Sequence, residues 1–440
     1  MQPSRADHAI WWHAYPLGFV GAEATAQEPV RHRLGQLENW LDYVVELGCS
    51  GLLLGPVFAA ETHGYDTVDY FRIDPRLGDD EDFDRLIEAA HGRGLRVLLD
   101  GVFNHVGRSF QAPPEFFQTK VFEGHEHLVV LNHDEPAVAQ YVVDVMCHWL
   151  ARGVDGWRLD AAYAVPAGFW RGVLEQVRAQ YPEAWFFGEV IHGDYAGYAE
   201  ESGLDSITQY ELWKAIWSSL NDGNFFELEY ALKRHDDLLD TFVPQTFVGN
   251  HDVTRIATQL EDERHLGHAF AILFAVAGIP SIYYGDEQAF RGLKEDREGG
   301  DDAIRPAFPA TPADLAPDGW PTYRLHQRLI SVRRRNAWLV RARTTVDHLT
   351  NQAIALHSHD GENHLLVLLN LADEPHHFPL DLTGYTLEAH PENTPPPTDP
   401  TVVPPHNWYV LTSHPAPPGS GDSAATLDST AGERRRVADS

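Results

Sequence analysis

Short apolar runs rich in β-branched and aromatic residues alternate along this chain with segments whose apolar positions recur every three to four residues. The runs fall at 10–15, 51–56, 95–100, 154–160, 184–189, 205–208, 245–250 and 279–285, and segments of helical period at 34–47, 82–92, 137–150, 169–180 and 263–276 lie between them. Such connections are long enough to be crossover helices between parallel strands. Eight strand candidates in this alternation predict an α/β fold, a (β/α)8 TIM barrel rather than an open sheet, with the run at 205–208 the weakest. After a helical segment at 323–335 the pattern shifts to short alternating runs at 344–348, 353–357, 364–369, 376–380 and 408–411. The division expected is therefore a catalytic barrel over 1–345, a small antiparallel β domain over 346–413, and a disordered tail over 414–440, where Pro, Gly, Ser and Thr dominate without apolar periodicity.

Composition narrows the class of partner. Sixty-five acidic against 33 basic residues give a formal charge of −32, which repels phosphates and anionic lipid and makes a neutral ligand the simplest partner. Neither nucleic acid nor a membrane is expected. The longest apolar stretch, 269–282, is too short for a span and is interrupted by Gly278 and Pro280. Cys49 and Cys147 are the sole cysteines, in apolar contexts, so neither a disulfide framework nor a cysteine metal site is expected. The N-terminus shows no apolar leader, which predicts a cytoplasmic protein.

Side chains that do chemistry on a barrel gather at the C-terminal ends of its strands. Here those ends carry carboxylates and histidines. The third run closes on Asp100-Gly-Val-Phe-Asn104-His105, the fourth on Gly156-Trp-Arg158-Leu-Asp160, the fifth on Phe187-Gly-Glu189 and the seventh on Phe247-Val-Gly-Asn250-His251-Asp252. One such acid would ordinarily be a satisfied ion pair or cap; so many converging on one rim are costly to bury without a functional reason. Strand alternation places Arg158 and Asp160 on one face, where the guanidinium can hold the carboxylate ionised. An oriented carboxylate suits a nucleophile at a sugar C1, and a protonated partner must supply the leaving oxygen. Glu189, beside Phe186 and Phe187, suits the second role, since apolar neighbours and nearby acids favour its protonated form.

In their order and separation these four segments resemble the conserved regions of the α-amylase family of glycoside hydrolases. The likeness extends to 51–58, to His63-Gly-Tyr65-Asp66-Thr-Val-Asp-Tyr70 and to 278–287, so it covers about residues 10 to 340. It implies a retaining enzyme acting on α-glucosidic bonds, of the cyclomaltodextrinase, neopullulanase or α-glucosidase kind. Position by position it implies Asp160 as nucleophile, Glu189 as general acid/base and Asp252 as the carboxylate that grips sugar hydroxyls in the transition state. It further implies Arg158 orienting the nucleophile, His105 and His251 binding hydroxyls of the cleaved sugar, Tyr65 stacking on that sugar, and Asp100 as a structural acid beneath the site.

Departures from the family pattern shape the remaining expectations. Secreted α-amylases usually carry Lys-His after the nucleophile, tied to a calcium site; here Ala161-Ala162-Tyr163 follows. No cofactor is expected, and no calcium at the family's usual position, although Asn104 and Asp302 carry suitable oxygens. The insertion after the third strand, 107–132, is short, so substrate walls are expected elsewhere, from among Trp11, Tyr15, Phe110, Phe116, Phe117, Tyr163, Trp213 and Trp217. The expected substrate is a maltooligosaccharide, cyclic or linear, or a related α-glucan. A transglycosylase or isomerase shares the same intermediate. Two further classes fit poorly. A metal-dependent hydrolase lacks ligand spacing, with no His-x-His pair in the first strand, and an inactive barrel would not retain Asp160, Glu189 and Asp252 together.

Overall fold

The computed structural model describes residues 9–25, 29–297, 299–392 and 394–413; the tail expected at 414–440 lies outside the described residues. Eight parallel strands form its centre: β1 (Trp11–Ala14), β2 (Gly51–Leu54), β3 (Arg96–Gly101), β4 (Gly156–Leu159), β5 (Trp185–Gly188), β6 (Ser206–Ile207), β7 (Gln245–Thr246) and β8 (Ile279–Tyr283). Their order is β6-β5-β4-β3-β2-β1-β8-β7, and a parallel bridge between Thr208 and Gln245 joins the two ends into a barrel. The (β/α)8 expectation holds, and β6 is, with β7, the shortest strand. At the seventh position the run 245–250 pairs only over its first two residues, so Asn250, His251 and Asp252 lie on the loop beyond the strand.

Inside the barrel, inward-facing residues stack in layers. Trp11, Leu53, Leu98, Phe187, Val243 and Ile279 fill the lower interior, and two residues further along their strands His13, Asp100 and Glu189 occupy the level above. Trp11 is thus floor rather than substrate wall. Between strands and outer helices lies a second core that includes the fully buried Trp12, Trp40, Trp149, Trp157 and Trp170. Each such ring contributes on the order of 2–3 kcal/mol by leaving water.

The predicted helices appear at Asp80–Gly92, Pro136–Ala151, Ala167–Gln180 and Trp320–Arg335, while 34–47 divides into Gly35–Glu38 and Leu41–Leu47. The first starts on a reciprocal cap: Asp79 accepts from the Asp82 backbone and Asp82 from the Asp79 backbone, a pairing worth about 1 kcal/mol. Helices Tyr195–Ser202, Tyr210–Asp222 and Phe226–Leu238 had not been anticipated.

Beyond the barrel, β9 (Arg343–Leu349), β10 (Ala353–His359), β11 (His364–Asn370), β12 (Thr386–Ala389) and β13 (Asn407–Ser413) form an antiparallel sheet in the order β9-β10-β11-β13-β12. The strand expected at 376–380 reduces to His376–His377, paired with Val402–Val403 outside that sheet; Thr386–Ala389 takes the edge instead. Among the described residues no helix is long and apolar enough to cross a membrane.

Candidate active site

Asp160 and Glu189 each sit one residue past a strand, but the ladder still holds their backbones. The Asp160 N–H donates to the Gly101 carbonyl at 3.0 Å and the Glu189 N–H to the Leu159 carbonyl at 2.9 Å. Register puts Asp100 of β3 opposite Arg158 of β4, and Leu159 opposite Gly188 of β5. Gly156 makes the β4–β5 approach possible, since a Cβ there would lie 2.0 Å from the Trp185 carbonyl oxygen. After Asp160 the chain turns through Ala161 at φ 44°, ψ 38°, a left-handed conformation costly for a bulky side chain. That turn aims the Ala161 N–H at Glu189 Oε2, 3.0 Å away.

Arg158 is the hub. Its Nη1 donates to Asp100 at 2.7 and 2.8 Å and to Asp160 Oδ1 at 3.2 Å, while Nη2 lies 2.9 Å from Glu189 Oε1 and 4.0 Å from Asp252 Oδ2. All but the half-buried Asp252 are nearly sealed from solvent. Glu189 Oε1 also accepts from the Tyr210 hydroxyl at 3.1 Å, which in turn accepts from Asn250 Nδ2 at 2.9 Å. The apolar setting expected for Glu189 is therefore a polar one: Phe186 and Phe187 precede it in sequence, but its carboxylate meets a guanidinium, a hydroxyl and an amide.

Proton affinities divide along these contacts. Burial, with the negative charges of Glu189 and Asp100, pushes the Asp160 carboxyl well above the usual carboxylate range against the pull of Arg158. Arg158 pulls Asp160 toward its ionised form, as expected, but the same guanidinium is shared with Asp100 and Glu189, which weakens that pull. Asp252 goes the other way: although burial opposes it, contact with His251 and the charges of Arg305 and Arg158 hold it well below the ordinary value.

Arg305, which sequence reasoning missed, donates from Nη2 to Asp252 Oδ1 and from Nε to the His251 carbonyl, both at 2.9 Å. Its guanidinium covers the rings of Tyr15 and Tyr65 at 4.7 and 5.9 Å. The Tyr65 hydroxyl donates to Asp100 Oδ2 at 3.0 Å and touches His251 Nε2, and the Tyr65 ring stacks on His251 at 5.3 Å. His13, also missed, meets His251 Nδ1 at 3.2 Å from the interior layer; its inward register after Trp11 was the available signal.

His105 is buried, with Nδ1 facing the Asn104 amide at 3.0 Å and Nε2 without a partner. Burial lowers its pKa to about 4, so the ring is neutral. Phe122 lies against its face at 4.4 Å, 12° from parallel. Phe122 belongs to a hairpin, Phe117–Phe122 with His125–Leu131, inside the short insertion, and the next residue, Glu123, accepts from the Tyr163 hydroxyl at 2.8 Å. The hairpin of the insertion thus packs onto His105, and its tip reaches Tyr163. Of the aromatic candidates, Phe110 packs into the core against Tyr70 and Tyr141, as Phe116 does against Tyr141, and Phe117 meets Phe110. Trp213 and Trp217 are half-buried and continue from Tyr210 beside Glu189, with ring centroids 5.8 and 5.9 Å apart in succession.

Of the residues offered for calcium, Asn104 faces His105 through its Nδ2, Asp302 is exposed in the short turn Asp302–Ile304, and Ala161 and Ala162 bring no side-chain oxygen.

A family model described as the alpha amylase catalytic domain matches residues 33–123 and 114–318. A maltogenic alpha-amylase of Bacillus acidopullulyticus is 30% identical over 343 residues, 66% of this chain and 58% of that protein. A cyclomaltodextrinase of Geobacillus thermopakistaniensis is 27% identical over 434 residues, 86% of this chain and 71% of that one. The chain thus spans little more than half the length of the first relative. The ligand-free structure of a cyclic α-maltosyl-(1→6)-maltose hydrolase from Arthrobacter globiformis superimposes with a TM-score of 0.77 at 23% identity, over 93% of this chain and 100% of that one, which establishes a shared fold.

Proposed function

The chain belongs to the alpha-amylase catalytic-domain family, and from that premise we propose that it is a retaining glycoside hydrolase cleaving α-glucosidic bonds in maltooligosaccharides, linear or cyclic. The observation that carries this reading is the sharing of one buried guanidinium, Arg158, by Asp160 and Glu189 at the ends of adjacent strands. In the reacting form the proton sits on Glu189 and Asp160 is the carboxylate. In the first step an Asp160 oxygen attacks C1 of the sugar, the C1–O bond to the departing saccharide breaks, and Glu189 gives its proton to the leaving oxygen. In the second, water attacks C1, Glu189 takes its proton, and the bond to Asp160 breaks. Asp252, kept anionic by Arg305 and His251, grips sugar hydroxyls as positive charge develops at C1. In this reading His105 and His251, buried at the rim, bind hydroxyls of the cleaved sugar, and Tyr65, stacked on His251, lies against the same sugar.

We read 1–345 as the catalytic barrel, with 107–132 as its insertion, and 346–413 as the accessory sheet. The cytoplasmic reading is supported by Cys49 and Cys147 remaining free thiols. No metal enters the mechanism, so turnover should survive extensive chelation, and activity abolished by a chelator and restored by calcium would refute this. Incubation with single α-1,4, α-1,6, α-1,3 and cyclic oligosaccharides tests the substrate. Shortened products from the α-1,4 and cyclic sugars are expected; products longer than the starting sugar would make the enzyme a transglycosylase, and no turnover of any of them would remove the proposal.

A further inference from the structure

Far along the chain from the catalytic residues, one ring of the barrel's outer layer meets one from the C-terminal sheet. His265 precedes the helix Leu266–Ala275, and His406 precedes β13. His265 Nε2 and His406 Nδ1 stand 3.0 Å apart, and Asp262 Oδ2 is 4.0 Å from His265 Nε2. One potential ligand atom from each of the three residues lies within 4.8 Å of the other two. His265 is nearly buried, and the His406 side chain is 10% exposed.

The outer contacts of the two rings fix what the inner nitrogens can do. Nε2 of His406 meets Asp373 Oδ1 at 2.8 Å and, facing a carboxylate, carries the hydrogen, which leaves Nδ1 a lone pair. With Nε2 turned toward His406, His265 can carry its hydrogen on the outer Nδ1 and leave Nε2 a lone pair. Both inner nitrogens then present lone pairs to each other, an arrangement that calls for a cation between them. Donation of the outer His406 N–H to the Asp373 carboxylate is the support that imidazole ligands of metals receive. Two nitrogens and a carboxylate oxygen at this spacing need only small shifts to reach the ligand separations of a tetrahedral ion with bonds of about 2.0–2.1 Å. Arg264 donates to Asp262 Oδ2 from Nη2 at 2.6 Å and from Nε at 3.0 Å, so a metal at that oxygen takes the place of one arm of this fork.

We propose that Asp262, His265 and His406 bind one divalent transition metal of the zinc class, which ties the barrel to its C-terminal sheet. Imidazole nitrogens with one carboxylate suit such an ion and not calcium or magnesium, which take oxygen ligands. Its role is structural, since none of its ligands belongs to the catalytic network.

The test uses the full chain, stripped with a chelator and titrated with Zn2+ or Co2+ alone. Expected are one more Co2+ bound with tetrahedral visible absorption than His265→Gln binds, and a melting temperature that rises with Zn2+ in the wild type only. Asp373→Asn, which leaves all three ligands intact, should weaken that site about 10–100-fold. Asp262→Asn and His406→Asn provide independent removals, the latter because His406 lies at φ 51°, where Asn is tolerated. Should stripped His265→Gln fail to fold, these two decide the comparison. Equal Co2+ stoichiometry and equal Zn2+-induced melting shifts in wild type and the folded variants would overturn the proposal and leave the two histidines sharing a proton.

Discussion

Nη2 of Arg158 lies 2.9 Å from Oε1 of Glu189, while Nη1 of the same guanidinium serves Asp160 and Asp100. One planar fork therefore sets the spacing between the two carboxylates that react. Lysine keeps the charge but offers a single point, too compact to span both partners. Arg158→Lys should retain the fold by circular dichroism and lose roughly 10²–10³-fold in kcat/KM, the cost of one preorganised donor. Arg158→Met, which strips the charge from three buried acids, should also destabilise by about 3–5 kcal/mol in denaturant melts.

The proton affinity of Asp160 has a consequence for stability. Its carboxyl in the unfolded chain releases a proton near pH 4, whereas burial and Glu189 keep the proton on in the folded protein to higher pH. The folded state binds more protons across that interval, so stability falls as pH rises through it, and the deficit is complete above the folded pKa. Asp160→Asn removes the deficit. The variant should be inactive yet melt higher than wild type at pH 7, with the two curves converging near pH 4; a lower melting temperature at pH 7 would contradict the burial argument.

Much of this site was legible because its residues obey local rules. Arg158 and Asp160 share a face by strand alternation, and Glu189 ends the next strand, so periodicity alone brings them together. Arg305 follows no such rule: it arrives on a loop far from every strand end, and only the closed barrel shows that it meets Asp252. Phe122 was hidden for a similar reason, because a short insertion gives no hint that its hairpin tip folds back over His105. The polar setting of Glu189 was also out of reach, since Tyr210 approaches it from a helix that the apolar pattern had not disclosed. In the C-terminal sheet the edge strand Thr386–Ala389 went unseen because only one of its four residues is buried, which leaves little apolar alternation to detect.

Arg305 supplies a separate test. It is the partner of Asp252 with the best hydrogen-bond geometry, and a hydrogen bond between charged groups contributes about 1.5–3 kcal/mol. If Asp252 acts mainly in the transition state, Arg305→Gln should lower kcat and kcat/KM together, by roughly 10–100-fold, with KM little changed. A rise in KM with kcat preserved would instead make Arg305 a ground-state binding residue.

The stereochemical outcome follows from the register of β4 and β5. Leu159 pairs with Gly188, so Asp160 and Glu189 are the next residues on strands whose axes lie about 4.8 Å apart. Side chains of these lengths can hold their carboxyls at roughly 5–5.5 Å, as retention requires, whereas inversion needs about 6.5–9.5 Å to admit a water. Proton NMR should therefore record the α-anomer as the first product. Replacing Asp160 by Asn or Ala removes the nucleophile and should abolish the covalent intermediate on every substrate, a loss of several orders of magnitude. Glu189→Gln should behave differently. A saccharide leaving group needs its oxygen protonated and will depart slowly, but fluoride needs little help, so an α-glucosyl fluoride should still load Asp160. With no base to activate water, the adduct should persist long enough for mass spectrometry of the proteolysed enzyme. An adduct on any residue other than Asp160, or β-anomer appearing first, would defeat the assignment.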